Sequence, residues 1–257
     1  MSKDKKQAKV AYGIDIGGSG IKGALVNLKD GSLASDRIRI ATPQPATPEA
    51  VTETVAELLA RHEVAHDVPV GITFPGVVTH GVTRTAANVD KSWIGANIEK
   101  LVEARTGHTV LAMNDADAAG YAETVFGAVK GVDGVTIVVT LGTGIGTAII
   151  VNGTLLPNTE IGHIEIDGQD AEVKAAASVK DIKGISYEEW AADVNRYLQA
   201  LEALFWPDRF VIGGGVSSDH AEFFQYLDLR AEVVPAELRN KAGIVGAAAL
   251  AASGVRL

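Results

Sequence analysis

Short apolar runs separated by glycine turns alternate along this chain with longer stretches of helical apolar spacing, a pattern that predicts strands and helices in alternation. Residues 10–16 (VAYGIDI) and 21–28 (IKGALVNL) predict two strands joined across GGSG, with a third strand at 33–40. Three prolines between Thr42 and Pro48 mark a loop, after which Pro48 and Glu49 open a helix through EAVTETVAELLARHE. Residues 70–74 predict a buried strand ending at Pro75-Gly76, residues 96–106 a helix stopped by Gly107, and 109–113 (TVLAM) another strand. An alanine-rich helix follows at 115–127, with Asp115 near its N-terminus. Strands at 135–141 and 146–151 again flank a glycine-rich turn. A helix at 187–205 stops before Pro207, Phe210 to Ile212 enters Gly213-Gly214-Gly215, and residues 240–253 predict a helix of small residues.

The pattern contains a repeat. GIDIGGSGIKGALVN (13–27) aligns without gaps to VVTLGTGIGTAIIVN (138–152) at a constant shift of 125, taking 15 to 140 and 27 to 152. Two similar α/β lobes, each presenting one glycine turn, account for this; convergence on hairpin chemistry is the competing explanation.

Composition narrows the chemistry. The chain has 257 residues, 47% hydrophobic and 21% charged, within the ordinary globular range and enough for one large or two modest domains. It has no cysteine, which excludes disulfides, thiolate nucleophiles and cysteine-ligated zinc. A net charge of −9 argues against broad binding to nucleic acid or anionic membranes. The charged start (MSKDKKQAKV) lacks the apolar core of a signal peptide, and no segment approaches the roughly 20 apolar residues of a membrane span, so a cytoplasmic location is expected. Lys3, Lys5, Lys6 and Lys9 read as a solvated terminus.

Several groups can carry chemistry. In the turn from Asp15 through Gly17, Gly18, Ser19 and Gly20 to Lys22, glycines bring backbone N–H groups close to an anion, Lys22 can neutralise phosphate, and Asp15 can hold a hydrated Mg²⁺. A tight hairpin with Asp15 as a turn residue is the alternative. Thr140, Gly142, Thr143 and Gly144, with Thr147, offer glycines and hydroxyls for a second phosphate turn. Neither is GxxxxGK[ST] nor a dinucleotide fingerprint. Asn114-Asp115 lies where a strand gives way to a helix, suiting Asp115 to act as general base toward an alcohol, or simply as a helix N-cap. Glu160, His163 and Glu165 gather two carboxylates and an imidazole, suited to several hydroxyls, to a metal, or to a solvated loop. His62-Glu63-Val64-Ala65-His66 matches HExxH formally, but Pro69 follows at once and points to a helix that is ending. Lys174, Lys180 and Lys183, with Lys91 and Arg84, could line a groove for an extended phosphate chain.

Together these motifs resemble the ROK family (repressor, open reading frame, kinase) of bacterial sugar kinases, within the actin-like ATPase superfamily. DIGGSGIK at 15–22 is similar to its first phosphate motif, NDAD at 114–117 to its catalytic motif, LGTGIG at 141–146 to its second phosphate motif, and EIGHIEID at 160–167 to its sugar-binding signature. TFPGVV, ANVDKSWIG, AAASVK and NKAGIVGAA resemble the inorganic polyphosphate/ATP glucokinase and glucomannokinase branch. The resemblance implies a two-lobed α/β fold, ribonuclease H-like, with a cleft between lobes: 1–113 plus 240–257 in one, 114–239 in the other. It implies phosphorylation of glucose at the 6-hydroxyl by polyphosphate, ATP or both, with Mg²⁺ at Asp15, and leaves open whether mannose is accepted beside glucose. An N-acylhexosamine kinase or a non-catalytic sugar-sensing regulator is the alternative.

Carried onto this chain, it implies that Gly76, Asn88, Asn114, Asp115, Glu160, His163 and Glu172 meet the hexose, Asp115 as base. Asp15, Gly17, Gly18, Ser19, Gly20, Lys22, Thr140, Gly142, Thr143 and Gly144 would hold the phosphates, with Gly213, Gly214 and Gly215 near the donor's nucleoside end. It also implies a homodimer. One departure stands out: where relatives carry a cysteine-rich zinc loop this chain has GQDAE at 168–172, so no structural zinc is expected and His163 must be positioned by packing and hydrogen bonds.

Overall fold

The computed structural model describes residues 9–256, so the reading of Lys3, Lys5 and Lys6 as a solvated terminus lies outside the described residues. The chain divides into two compact units, 1–122 with 241–257, and 123–240. The first boundary falls inside the helix after Asn114 rather than before it, because the strand ending at Asn114 pairs within the first sheet and Ala118 packs against Gly246.

In the first unit, β1 (Val10–Ile16), β2 (Ile21–Asn27) and β3 (Ile38–Ile40) form an antiparallel meander. The third strand is shorter than the 33–40 expected. Leu33 makes only an isolated bridge to Val26, and Ser35 turns its hydroxyl to the Leu25 N–H at 3.0 Å, which takes that donor out of the ladder. Helix α1 (Pro48–Arg61) starts on a Thr47 cap with Pro48 in its first turn, and buries Val51, Val55, Leu58 and Leu59, the one-sided spacing seen in the sequence. Strand β4 (Val70–Phe74) then pairs parallel to β1. A small hairpin, β5 (Val78–Thr79) with β6 (Val82–Thr83), precedes α2 (Ile98–Thr106), which ends at Gly107 with φ 73°. Strand β7 (Val110–Asn114) pairs parallel to β4 and leads into α3 (Asp115–Phe126). The sheet order is β3-β2-β1-β4-β7.

The C-terminal helix (Ala242–Ser253) returns to this sheet and is buried nearly all round. Small residues permit this closeness: a methyl group at Gly13 would lie 1.9 Å from the Ile244 carbonyl oxygen, and one at Gly71 1.9 Å from that of Ala247. Helix backbone therefore rests directly on strand backbone.

The second unit repeats the plan. Strands β8 (Val135–Leu141), β9 (Ile145–Val151) and β10 (Thr154–Leu156) form the meander. A hairpin of β11 (Glu165–Ile166) and β12 (Gln169–Asp170) is followed by α4 (Glu172–Ala175), α5 (Ala177–Lys183) and α6 (Tyr187–Phe205). Helix α6 opens with a capping box between Ser186 and Glu189 and buries Trp190, Val194, Tyr197, Leu198 and Leu201. Strand β13 (Arg209–Gly213), α7 (His220–Phe223) and β14 (Glu232–Pro235) complete the order β10-β9-β8-β13-β14, the counterpart of the first sheet.

The repeat is real but not gapless. Ile16 pairs with Ile21 across a four-residue turn, whereas Leu141 pairs with Ile145 across three. The shift is thus 125 up to the turn and 124 beyond it, taking 22 to 146 and 27 to 151. Lys22 corresponds to Gly146, not Thr147. A shortened turn keeps the buried faces matched, whereas a slipped strand would have turned every side chain over. Thr147 accordingly points inward, 2% exposed, and exchanges hydrogen bonds with Thr159 at 2.6 and 3.2 Å. It does not line a phosphate turn.

Candidate active site

In the first unit the candidate residues collect at the carboxyl ends of parallel strands, where open α/β sheets place their ligands. Asp15 pairs laterally with Lys22 on β2 and Thr73 on β4. Its carboxylate accepts from Lys22 Nζ at 3.2 Å and from the Thr73 hydroxyl at 3.0 Å. Both charged side chains are partly exposed, so the pair is open to a ligand. Lys22 is therefore preorganised by the carboxylate and not an isolated cation.

The turn Gly17–Gly20 is held from behind by side chains that the motif did not reveal. Thr42 donates to the Gly17 carbonyl, Gln44 to that of Gly18 at 3.5 Å, and Arg39 to that of Ser19 at 2.6 Å; the Gly20 carbonyl accepts from the Gly17 N–H at 3.1 Å. With its carbonyls engaged, the turn has N–H groups to offer an anion. Asn88, expected at the hexose, stands against this turn: a methyl at Gly18 would come within 2.8 Å of its Cβ.

The helix-cap role that the sequence left open for Asp115 falls to its neighbour Asn114. Asn114 is the helix cap: its Oδ1 accepts from the N–H groups of Ala116 (2.7 Å) and Asp117 (3.1 Å), and its Nδ2 donates to the Gly76 carbonyl at 3.2 Å. Asp115 is the first residue of α3, with an exposed side chain whose Oδ1 also accepts from the Ala116 N–H at 2.9 Å. The structure brings Gly76, Asn114 and Asp115 together.

In the second unit the turn Gly142–Gly144 is closed by a Gly142 N–H bond to the Gly144 carbonyl at 2.9 Å and supported by Ser178. That serine donates from its backbone to Gly142 and from its hydroxyl to Thr143. Gly214, with φ 83°, lies so near Leu141 that a methyl would sit 2.1 Å from its carbonyl oxygen, which puts Gly213–Gly215 alongside the turn with Thr140. Glu172, carried over as a sugar ligand, accepts from the Ile145 N–H at 2.7 Å and stands against the same turn. Gly162 packs on the Ile145 carbonyl, holding the Glu160–His163 segment near β9, with both side chains exposed.

Sequence reasoning assigned no role to Asp170, which accepts from His163 Nδ1 at 2.9 Å and from the Glu172 N–H at 2.9 Å. The hydrogen bond to Asp170, reinforced by Glu172, Asp170 and Glu160 nearby, holds the His163 imidazolium above the usual histidine range. The available signal was Asp167-Gly168: both have positive φ (54° and 76°), the two-residue turn that folds a hairpin back on itself.

The HExxH imidazoles are committed separately. α1 ends at Arg61, His62 Nδ1 lies 2.6 Å from the buried Tyr12 hydroxyl, and His66 lies against His108 with ring centres 4.5 Å apart and ring planes tilted by 32°. Of the basic residues considered for a phosphate groove, Lys180 pairs with Asp181 and covers the Tyr187 ring, Lys91 donates to Ala86 and Arg84 to Thr79.

Residues 11–177 match the ROK family model. The chain belongs to the ROK family. It is 54% identical over 238 residues to the polyphosphate glucokinase of Mycobacterium tuberculosis (strain H37Rv), an alignment covering 92% of this chain and 89% of that one. Its structure superimposes with a TM-score of 0.90 on the inorganic polyphosphate/ATP-glucomannokinase of Arthrobacter sp. strain KM, at 50% identity and covering 96% and 100% of the two chains. The ROK family glucokinase of Streptomyces griseus, solved with glucose and AMPPNP, matches at 28% identity, TM-score 0.81, and 95% and 100% coverage. The fold is that of the ROK sugar kinases, actin-like, with a mixed sheet in each unit. Among the described residues no helix is long and apolar enough to cross a membrane.

Proposed function

We propose that this ROK protein transfers the terminal phosphoryl group of inorganic polyphosphate or ATP to the 6-hydroxyl of glucose, and accepts mannose as a second hexose. The observation that carries the reading is the exposed Asp115 carboxylate beside Asn114, whose helix-capping bonds hold the pair at the end of β7. The hexose oxygen attacks phosphorus in line, the bond from phosphorus to the donor's bridging oxygen breaks, and the hydroxyl proton passes to Asp115. Asn114, Gly76, Glu160 and His163 orient the sugar. The two glycine turns, with Thr140 and Gly213–Gly215, hold the donor, and Glu172 supports the second turn.

Asp15 fits Mg²⁺ in chemistry: it is a partly exposed carboxylate at the phosphate turn, and no cluster of three or more potential ligands competes among the described residues. When bound, the ion supplies positive charge that offsets the charge of the transferring group. A homodimer, as family resemblance implies, and a cytoplasmic location belong to the same reading.

A coupled assay of glucose, mannose and N-acetylmannosamine against polyphosphate and ATP tests the function: glucose is turned over with either donor, and a preference for the acylated sugar would overturn the assignment. Lys22→Ala raises the KM for the phosphate donor roughly tenfold, the worth of one charge-assisted hydrogen bond, and leaves the KM for glucose in place. An unchanged donor KM would remove Lys22 from the donor site.

A further inference from the structure

The observation is the 2.9 Å contact between His163 Nδ1 and Asp170 Oδ2, made by a residue that the function proposed above does not use. Asp170 reaches the ring because Asp167 and Gly168 turn the chain within two residues and register Glu165 opposite Asp170. Its other oxygen accepts from the Glu172 N–H, so the carboxylate is held at both ends and cannot rotate without breaking a backbone bond. The Ala171 N–H, bonded to the Ile164 carbonyl at 3.0 Å, ties down the next residue as well.

We propose that Asp170 is the positioning residue of His163, fixing the imidazole in the form that carries its proton on Nδ1 and so presents Nε2 to the hexose. This rests on the reading of His163 as a sugar ligand. An acceptor-only carboxylate demands a donor from the ring, so Nδ1 stays protonated in both charge states of the histidine. Nε2 then accepts a hydrogen bond from a sugar hydroxyl when the ring is neutral and donates one when it is charged. Asp170 shares its pocket with Lys174 on α4, with Asp193, Arg196 and Tyr197 on α6, and with Asp167, which pairs with Arg196, while Glu160 and Glu172 act on the ring itself. The carboxylates favour the imidazolium, and the Asp170 hydrogen bond is the largest contribution.

Asp170→Asn is nearly isosteric and separates positioning from folding. Its single amide oxygen keeps the Glu172 N–H, which turns the amide NH₂ toward Nδ1 and requires an acceptor there. The neutral ring must then carry its proton on Nε2. The experiment is imidazole ¹⁵N and ¹H–¹³C NMR across pH on the unliganded protein, paired with steady-state kinetics of the same samples. In the parent protein His163 is expected to be protonated on Nδ1 when neutral and to titrate above an ordinary histidine. In Asp170→Asn the neutral ring switches to the Nε2–H form, titration moves to lower pH, and the KM for glucose rises about tenfold while the donor KM holds. Asp170→Ala, which removes both bonds, raises the glucose KM at least as far.

A parent ring with its neutral proton on Nε2, or an Asp170→Asn ring unchanged in tautomer and titration, overturns the proposal. If the ring responds as expected while the glucose KM stays fixed in both variants, the assignment of His163 to the sugar is what fails, and the positioning role falls with it.

Discussion

Replacing Asp115 with asparagine is expected to lower turnover at least about 100-fold while leaving glucose affinity largely intact. The substitution keeps size and the oxygen that accepts the Ala116 N–H, so α3 starts as before, and Asn114 continues to cap it and hold Gly76. What is lost is the only property that matters to proton transfer: an amide cannot take the proton of the attacking hydroxyl as the new bond forms. Steady-state kinetics with either donor, beside calorimetric titration of glucose, separates the two quantities. Turnover within tenfold of the parent would remove Asp115 as base. A parallel loss of glucose binding would instead make it a sugar-orienting group.

The largest expected effect on stability comes from a residue remote from the chemistry. Gly71→Ala adds one methyl group to a buried strand, but that methyl would lie 1.9 Å from the Ala247 carbonyl oxygen and 2.3 Å from its carbon. Backbone cannot give way as a flexible side chain can, so the C-terminal helix must lift from the sheet. Overpacking of this kind costs about 3 kcal/mol or more, which corresponds to a fall in Tm of roughly 6–12 °C for a chain of this size. Gly215→Ala is the matched control, since a methyl there meets nothing within 4 Å. Calorimetry or thermal circular dichroism reads both; equal melting temperatures would mean that the helix does not depend on this close approach.

These two residues illustrate what a sequence reveals and what it hides. Strand, turn and helix were legible because each rests on local signals: alternation in 10–16, Pro48 after a capping threonine, Gly107 after α2. The ends of strands, and hence the neighbourhood of Asp15 and Asn114, followed from those elements. The supports did not. Thr42, Arg39 and Gln44 reach the first glycine turn from 20 or more residues away, and nothing in their own surroundings marks them. The one-residue difference between the turns was hidden because similar letters continue past them, and only hydrogen-bonded register distinguishes Gly146 from Thr147 as the counterpart of Lys22 in the second repeat. Asp170 was within reach, since Asp-Gly between short extended segments announces a hairpin, but the letters alone do not show that the hairpin register returns a carboxylate to His163.

The placement of the C-terminal helix also sets the order in which the protein can be finished on the ribosome. Residues 123–240 are continuous and hold every strand of their own sheet, so this unit can close once its last strand has emerged. The first unit begins earlier and ends later: the face of β1 and β4 that carries Gly13 and Gly71 stays uncovered until residues 242–253 have been made. At about 5–20 residues per second, that wait is on the order of ten seconds. For that interval the sheet face around Gly13 and Gly71 lacks its covering helix, and the half of the protein synthesised first is the half completed last.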